Sequence, residues 1–332
     1  MLLLNNLVEN FLRTQLSNNN LFSQSLLFYG EDSLGKLTTA KLFAKSILCS
    51  NKQFGGCNQC SNCLAIDKGW HPDYKVVELS GDTIKDKDLE FIFDFLIYKP
   101  QMAQKKTLII NNAERFSIKT RSALLKVLEE PNPNTLIIFI TDHPNKLLKT
   151  IKSRLLQIRF IKPKTLELTN YISKNYKVDP TKLDLFLKLS DNRTGDLIKY
   201  IENPEALKEK KKNIELFNSL IKNSFSDNSK IIKTIDEEIA DETKKEGSSI
   251  KKNFLKNIIN DWLDFIEITL ISEITNTQNP LNNLTKNHFE KFTLEKKIKT
   301  FRNTVQLLNY ISNYEANKRL MLEAYCLTTL QN

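Results

Sequence analysis

The chain has 332 residues and carries 49 Lys and Arg against 39 Asp and Glu, a net charge of +10 with a pI near 9.1. No apolar run approaches the ~18 residues of a membrane span. The opening Met1-Leu2-Leu3-Leu4 is short and lacks the basic flank of a secretory leader, so a soluble, cytoplasmic protein is expected. The lysine excess is compatible with a nucleic-acid neighbour. It is scattered through an Asn-, Lys- and Ile-rich composition, however, and charge alone does not establish contact with DNA. Eight Gly and nine Pro among long Leu, Ile, Lys and Glu segments point to a helix-rich protein of two or three domains.

Residues 1–24 predict an amphipathic helix and a connector, with Leu7, Val8, Phe11 and Leu12 at helical spacing. The run Leu26-Leu27-Phe28-Tyr29 then reads as a buried strand that breaks at Gly30. A loop follows, and a helical pattern starts at Lys36, with Leu42, Phe43 and Ile47 on its apolar face. Gly30, Gly35 and Lys36 have the spacing of a phosphate-binding loop, in which backbone N–H groups and a lysine cradle a nucleotide's phosphates at a helix N-terminus. The next position normally carries a hydroxyl that ligates Mg²⁺, and here it is Leu37. Thr38 sits about 100° further round the helix and is a poor substitute.

Four cysteines follow as Cys49-x₇-Cys57-x₂-Cys60-x₂-Cys63. Four thiolates at this spacing suit a tetrahedral zinc site closed to solvent, and a structural zinc ion is the expected cofactor. Disulfides do not suit a reducing cytosol. Unligated thiols would lack an apolar core around Gly55-Gly56. An iron–sulfur cluster could use the same ligands, but nothing else here points to redox work. A zinc module that reads DNA would call for more aromatics and arginines than Phe54 and Trp70 provide. His71-Pro72 reads as a turn without chemistry, and the distant Cys326 as a core residue on a helix face.

A second strand is expected over Tyr74–Leu79, then a helix over Asp86–Tyr98 with Leu89, Phe93 and Leu96 inward, stopped by Pro100. Thr107–Ile110 is a third strand. Its exit, Asn111-Asn112-Ala113-Glu114, lies where a hydrolysing site needs an aspartate for the metal and a glutamate to orient water. Asparagine is uncharged and cannot act as a general base, and Glu114 comes two residues late. A helix over Lys119–Glu130 follows, closed by Pro131, with Leu124, Val127 and Leu128 inward. Leu136–Ile140 is a fourth strand, Leu147–Ser153 a short helix and Leu155–Phe160 a fifth strand. Such alternation implies a parallel sheet covered on both faces.

Beyond Pro163 the pattern is helical throughout. Short helices are expected over Leu166–Tyr176, Lys182–Leu189 and Gly195–Ile201, and Pro204 marks a further boundary. The longest run, Ser249–Ile274, sets Phe254, Leu255, Ile258, Ile259, Trp262, Phe265 and Ile266 on one face. After a loop over Thr275–Thr285 containing Pro280, the last helix is expected over Ile311–Leu330, offering Leu320, Leu322, Tyr325, Cys326 and Leu330.

Lys36 through Arg159 resembles the ATPase core of bacterial clamp loaders, and most of all their delta-prime subunits. The resemblance is carried by the cysteine cluster, His71-Pro72-Asp73, Ala123-Leu124-Leu125-Lys126-Val127-Leu128-Glu129-Glu130-Pro131 and Thr150-Ile151-Lys152-Ser153-Arg154. Asn317 through Glu323 is similar to the family's closing helix. The resemblance implies an α/β AAA+ module over residues 1–162 with a zinc module at 49–63, a helical lid over 163–204 and an all-α collar over 205–332. It implies a pentameric ring with other clamp-loader subunits that places a sliding clamp on primer-template DNA, within the DNA polymerase III holoenzyme. Arg154 matches the family's arginine that reaches a neighbour's site, and Leu155 replaces the cysteine that usually follows it. Thr141 matches the position that watches a γ-phosphate, whereas Ile198 stands where the lid's sensor arginine is expected. The nucleotide-binding remnant is therefore Gly30, Gly35, Lys36, Thr38 and Thr141, beside a degenerate acidic pair at Asn111 and Asn112. Weak Mg²⁺-independent nucleotide binding is the most this pocket offers, and turnover is not expected. The function expected is a non-catalytic, stator-like subunit; the alternative is an ATP-hydrolysing motor subunit.

Overall fold

A computed structural model describes residues 6–17, 25–78, 86–116, 118–130, 132, 134–222, 225–246, 248–276, 279, 288–313 and 317–330. The chain divides into two compact units, Met1–Lys177 with Asn192–Asp196 and Val178–Asp191 with Leu197–Asn332.

The first unit is α/β. Its elements are α1 (Asn6–Ser17), β1 (Ser25–Tyr29), α2 (Lys36–Leu48), α3 (Ser61–Asp67), β2 (Tyr74–Glu78), α4 (Asp86–Ile97), β3 (Lys106–Asn111), α5 (Ile118–Glu129), β4 (Thr135–Thr141), α6 (Lys149–Lys152), β5 (Leu156–Arg159) and α7 (Thr165–Asn175). The five strands are parallel, in the order β2-β3-β4-β1-β5, as their alternation with helices implied. β4 shows why its sequence has no polar alternation. Ile137 and Phe139 face Ile92, Phe95, Leu124 and Leu128 of α4 and α5, while Leu136, Ile138 and Ile140 face Val8, Leu12, Ala40 and Phe43 of α1 and α2. A strand buried on both faces has no position for a charge.

Some side chains point differently from their expected phase. In α4 the buried residues are Ile92, Phe95 and Leu96, Phe93 is only half-buried, and Leu89 lies outside the described side chains. Residues 91–93 and 95–97 are all apolar, so periodicity there does not fix the inward face. The C-terminus of α4 is held instead by the buried Lys106, whose ammonium donates to the carbonyls of Phe95 and Tyr98, both at 2.5 Å. A cation on the last carbonyls also suits the helix dipole. In α1 the i, i+4 pair Val8 and Leu12 turns inward, which leaves the adjacent Leu7 exposed.

The second unit is helical: α8 (Pro180–Ser190), α9 (Thr194–Glu202, which enters this unit at Leu197), α10 (Pro204–Lys222), α11 (Phe225–Glu246), α12 (Ser248–Ile274), α13 (Leu294–Asn313), α14 (Lys318–Tyr325) and a π turn over Cys326–Leu330. The face expected on α12 is the buried one: Leu255, Ile258, Ile259, Trp262, Phe265 and Ile266 are all buried. Phe217 of α10 lies within 5.4–5.8 Å, centroid to centroid, of Trp262, Phe265 and Phe289. Lys210 is buried beside Asp264 at 2.6 Å and Asp261 at 3.6 Å. Burial opposes its charge, but Asp264, Tyr200 and Asp261 outweigh that and keep the ammonium protonated.

The expected last helix over Ile311–Leu330 is two helices. α13 ends at Asn313, and Asn317 starts α14 afresh by accepting the N–H groups of Arg319 and Leu320 on its side chain. Leu320 is exposed and not inward, whereas Leu322, Tyr325 and Cys326 are buried as expected. Pro280 and the Leu330 side chain lie outside the described residues.

Candidate functional site

Three adjacent strands end together at one edge of the sheet. Tyr29, the last residue of β1, pairs with Thr141, the last of β4, and Ile110 of β3 pairs with Phe139. This register brings Gly30, Asn111, Asn112 and Thr141 to the carboxyl ends of the strands, where ligands bind in open parallel sheets. The phosphate-loop glycines have local reasons to be glycine. Gly30 has φ 148°, and a Cβ there would run into the carbonyl of Phe160, whose N–H donates to Tyr29 at 2.8 Å. Gly35 caps α2 at φ 80°, a conformation that disfavours side chains.

Lys36 is 5% exposed, and its ammonium points back into its own loop. It donates to the carbonyl of Gly30 at 3.0 Å and to that of Glu31, and it pairs with Asp142 Oδ1 at 2.8 Å. Burial pushes the Asp142 carboxyl up. Lys36 opposes that shift, while Asp32 and Glu114 add to it. The loop tip is also tied down: Ser33 accepts the Gly195 N–H on its carbonyl at 2.7 Å and donates its hydroxyl to Asp196 at 2.8 Å. Thr38 is exposed, and it is Thr39 whose hydroxyl turns back to the Gly35 carbonyl at 2.9 Å.

At the end of β3, Asn111 donates to Glu78 at 3.3 Å and Asn112 adopts a left-handed conformation, φ 59°. Thr141 donates to Glu114 at 2.6 Å and accepts the His143 N–H at 3.0 Å. The sensor-like threonine and the late glutamate thus form a hydrogen-bonded pair, which residue spacing alone did not reveal.

Arg154 follows α6 on the surface. Its guanidinium donates to the Thr150 carbonyl at 2.9 Å and pairs with Glu129 at 2.6 Å. The side chains are 35% and 52% exposed. An exposed pair of this kind contributes about 0–1 kcal/mol, so the guanidinium is available to a stronger anion.

The four thiols of Cys49, Cys57, Cys60 and Cys63 lie within 4.8 Å of one another, with Cys57 and Cys63 Sγ at 4.0 Å. A tetrahedron of sulfurs about 2.3 Å from a zinc ion has edges of about 3.8 Å, so this donor set fits the ion and could hold a metal. The backbone supports it: the Cys60 N–H donates to Cys57 Sγ and the Cys63 N–H to Cys60 Sγ. Burial pushes the Cys63 thiol up to about 12. Burial also opposes ionisation of Cys60, but the N–H groups of Cys63 and Ser50 and the neighbouring thiols hold it down to about 6. Gly56, φ 86°, is required here, because a Cβ would stand 2.9 Å from Cys63 Sγ.

The turn at His71-Pro72-Asp73 joins this cluster to the sheet. His71 Nδ1 accepts the Asp73 N–H at 3.0 Å, so the ring is neutral and its Nε2–H faces Asn62 Oδ1 at 3.3 Å. Asn62 in turn donates to the Leu48 carbonyl at 2.7 Å. The buried Asp73 carboxylate accepts three successive N–H groups, from Gln101, Met102 and Ala103, at 2.7–2.8 Å. The sequence reading credited this turn with no chemistry and did not foresee its anchoring role.

Residues 4–164 match the family model described as "DNA polymerase III, delta subunit". The DNA polymerase III subunit delta' of Bacillus subtilis is 32% identical over 200 residues, 60% of each chain. That of Pseudomonas aeruginosa is 33% identical over 138 residues, 41% of this chain and 42% of the relative. The DNA polymerase III subunit tau/gamma of Haemophilus influenzae is 34% identical over 139 residues, 42% of this chain and 20% of the relative. The chain thus spans 60% or less of the length of these curated relatives. No helix among the described residues is long and apolar enough to cross a membrane.

Proposed function

We propose that this chain is a delta-prime-like clamp-loader subunit of DNA polymerase III, a reading supported by the match over residues 4–164 and by the delta' relatives, and that it works as a non-hydrolysing, stator-like member of its complex and acts on a neighbour through Arg154. The observation that carries the reading is a contrast in the first unit. The chain's own pocket has Leu37 in place of the metal-binding hydroxyl and Asn111-Asn112 in place of the acidic pair, while Arg154 stands exposed on a weak surface ion pair. A hydrolysing site needs the metal ligand and a carboxylate. A donated arginine needs only reach, a permanent charge and a fork that can bind two phosphate oxygens at once.

In this reading the complex is a pentameric cytoplasmic ring that opens a sliding clamp and places it on primer-template DNA. The chain divides into an AAA+ core over 1–162, a lid over 163–204 and a collar over 205–332. Cys49, Cys57, Cys60 and Cys63 hold a structural zinc ion, which fixes the segment between α2 and β2, α3 included, and takes no part in catalysis. A γ-phosphate presented by a neighbouring subunit displaces Glu129 from Arg154, because a phosphate offers more charge than the exposed carboxylate does.

The test is the ATPase of the reconstituted complex. Arg154→Ala should fold, keep its zinc and assemble, yet lower DNA- and clamp-stimulated hydrolysis. Fingers of this kind are worth on the order of 10³–10⁵ in rate in GTPases, and a ring with other intact sites loses less. Arg154→Lys should rescue poorly, because a point charge lacks the fork. Wild-type hydrolysis and clamp loading by the alanine variant would overturn the assignment. The motor alternative has one observation on its side, the 2.6 Å contact of Glu114 with Thr141. Steady-state hydrolysis by the isolated chain, abolished by Lys36→Ala, would establish that alternative.

A further inference from the structure

We propose that Asp142 is the residue that closes this phosphate loop to nucleotide, its carboxylate taking the position on Lys36 that a phosphate oxygen would occupy. An ammonium has three N–H donors. Lys36 directs them at three acceptors of its own chain: the carbonyls of Gly30 and Glu31 and the Asp142 carboxylate. In a working loop this lysine reaches the β- and γ-phosphates. Here an incoming phosphate must first displace one of those acceptors.

Asp142 is the charged acceptor, and displacing it has two costs. The carboxylate loses a charge-assisted contact in a partly buried place. It then also stands beside the incoming phosphate as a like charge. Asp32 and Glu114, which already act on Asp142, add further negative potential to the same corner.

A second set of contacts fixes the loop in this form. Ser33, in a left-handed conformation at φ 60°, accepts the Gly195 N–H on its carbonyl and holds Asp196 with its hydroxyl. N–H groups in the first turn of a helix are the donors that bind anions, and this one is already satisfied by the loop itself. The approach is close enough that a Cβ at Gly195 would stand 3.0 Å from the Ser33 carbonyl oxygen. The resulting specificity is against polyphosphates as a class, and one side chain, Asp142, decides it. This rests on the non-hydrolysing reading only for the fate of a nucleotide once admitted, since Leu37, Asn111 and Asn112 are untouched.

The experiment is calorimetric titration of the full chain with ADP and with inorganic tripolyphosphate, without Mg²⁺. Wild type should show no saturable uptake at millimolar ligand. Asp142→Asn, which keeps the shape and removes the charge, and Asp142→Ala should both bind. Their gain should be about tenfold or more, the size of one charge-assisted contact, and adding Lys36→Ala should abolish it. If Asp142→Ala fails to fold, Asp142→Asn decides the matter alone. Wild type binding as tightly as Asp142→Asn, or folded Asp142 variants that still take up neither ligand, would overturn the lock. A variant that binds ATP and also hydrolyses it with Mg²⁺ would support the lock while sinking the non-hydrolysing reading, so the two can fail separately.

Discussion

At the phosphate loop the strong charges answer one another: the Lys36 ammonium has three acceptors from its own chain, one of them the Asp142 carboxylate. At the cysteine cluster the same fold does the reverse. Four thiols converge within 4.8 Å, N–H groups point at two of them, and Gly56 is kept bare to let Cys63 in. Thiols brought this close gain little from each other, and ionised they repel, so the arrangement becomes favourable when a cation enters. One place satisfies its strong charges from its own chain; the other gathers a donor set that fits a metal ion. Sequence motifs record what kind of site a segment came from. The balance of donors, acceptors and charge shows whether it still needs a guest.

The largest effect should come from the cysteine cluster. Cys60→Ser, or chelation of the native chain, should remove about one equivalent of zinc and lower stability by several kcal/mol, since structural zinc binding in small domains is worth roughly 10–16 kcal/mol in apparent terms. Elemental analysis finding full zinc in the serine variant would break the contrast. The phosphate loop is tested by Gly30→Ala, which sets a Cβ against the Phe160 carbonyl at a φ that side chains rarely adopt. A cost of about 1–3 kcal/mol is expected, the same with and without nucleotide. Urea midpoints that show no loss, or a loss only when nucleotide is present, would mean that this glycine still serves a ligand.

The smallest effect concerns pH. Burial lowers the His71 pKa in the folded chain, with Asp73 pulling weakly the other way. A depressed folded value makes the unfolded chain the better proton binder. The ring's contribution is therefore fully present above the unfolded value of about 6.5 and is lost as pH falls through the folded value. With zinc held saturating, denaturant midpoints between pH 7.5 and 5.5 should fall less for His71→Gln than for wild type. Equal slopes would show that the Asn62–His71–Asp73 contacts do not depend on the neutral ring.

Most of the first unit was legible because its signals are local. A strand buried on both faces reads as an unbroken apolar run, as in Leu136–Ile140, and four cysteines at metal spacing need no partner from elsewhere. What escaped depends on register between distant segments. Asp142 meets Lys36 only because β4 lies beside β1 and ends level with it. The sign was there, an acid one residue past a strand end, but its meaning required the strand order. Asp73 escaped for the same reason, since its three donors come from residues 101–103. The boundary between α13 and α14 was missed where a single capping side chain, Asn317, outweighs apolar periodicity.

The Asp73 and Lys106 contacts also bear on the order in which the chain can organise. The Asp73 bonds close 28 to 30 residues of chain and the Lys106 bonds 8 and 11, so both ties lie inside the single crossover β2-α4-β3. By contrast β1 enters the sheet by pairing Ser25 with Ile137, 137 − 25 = 112 positions later. Loop-closure entropy grows with the length closed, and contacts near in sequence come at the lowest kinetic cost. The pairings of β3 with β2 and with β4, Tyr74 with Thr107 and Lys106 with Thr135, are the cheap parts of the sheet to assemble, and the strand leading into the phosphate loop is among the most expensive. Asp73 and Lys106 thus fasten this crossover from within, so that one part of a parallel sheet, slow by topology, is held by contacts near in sequence.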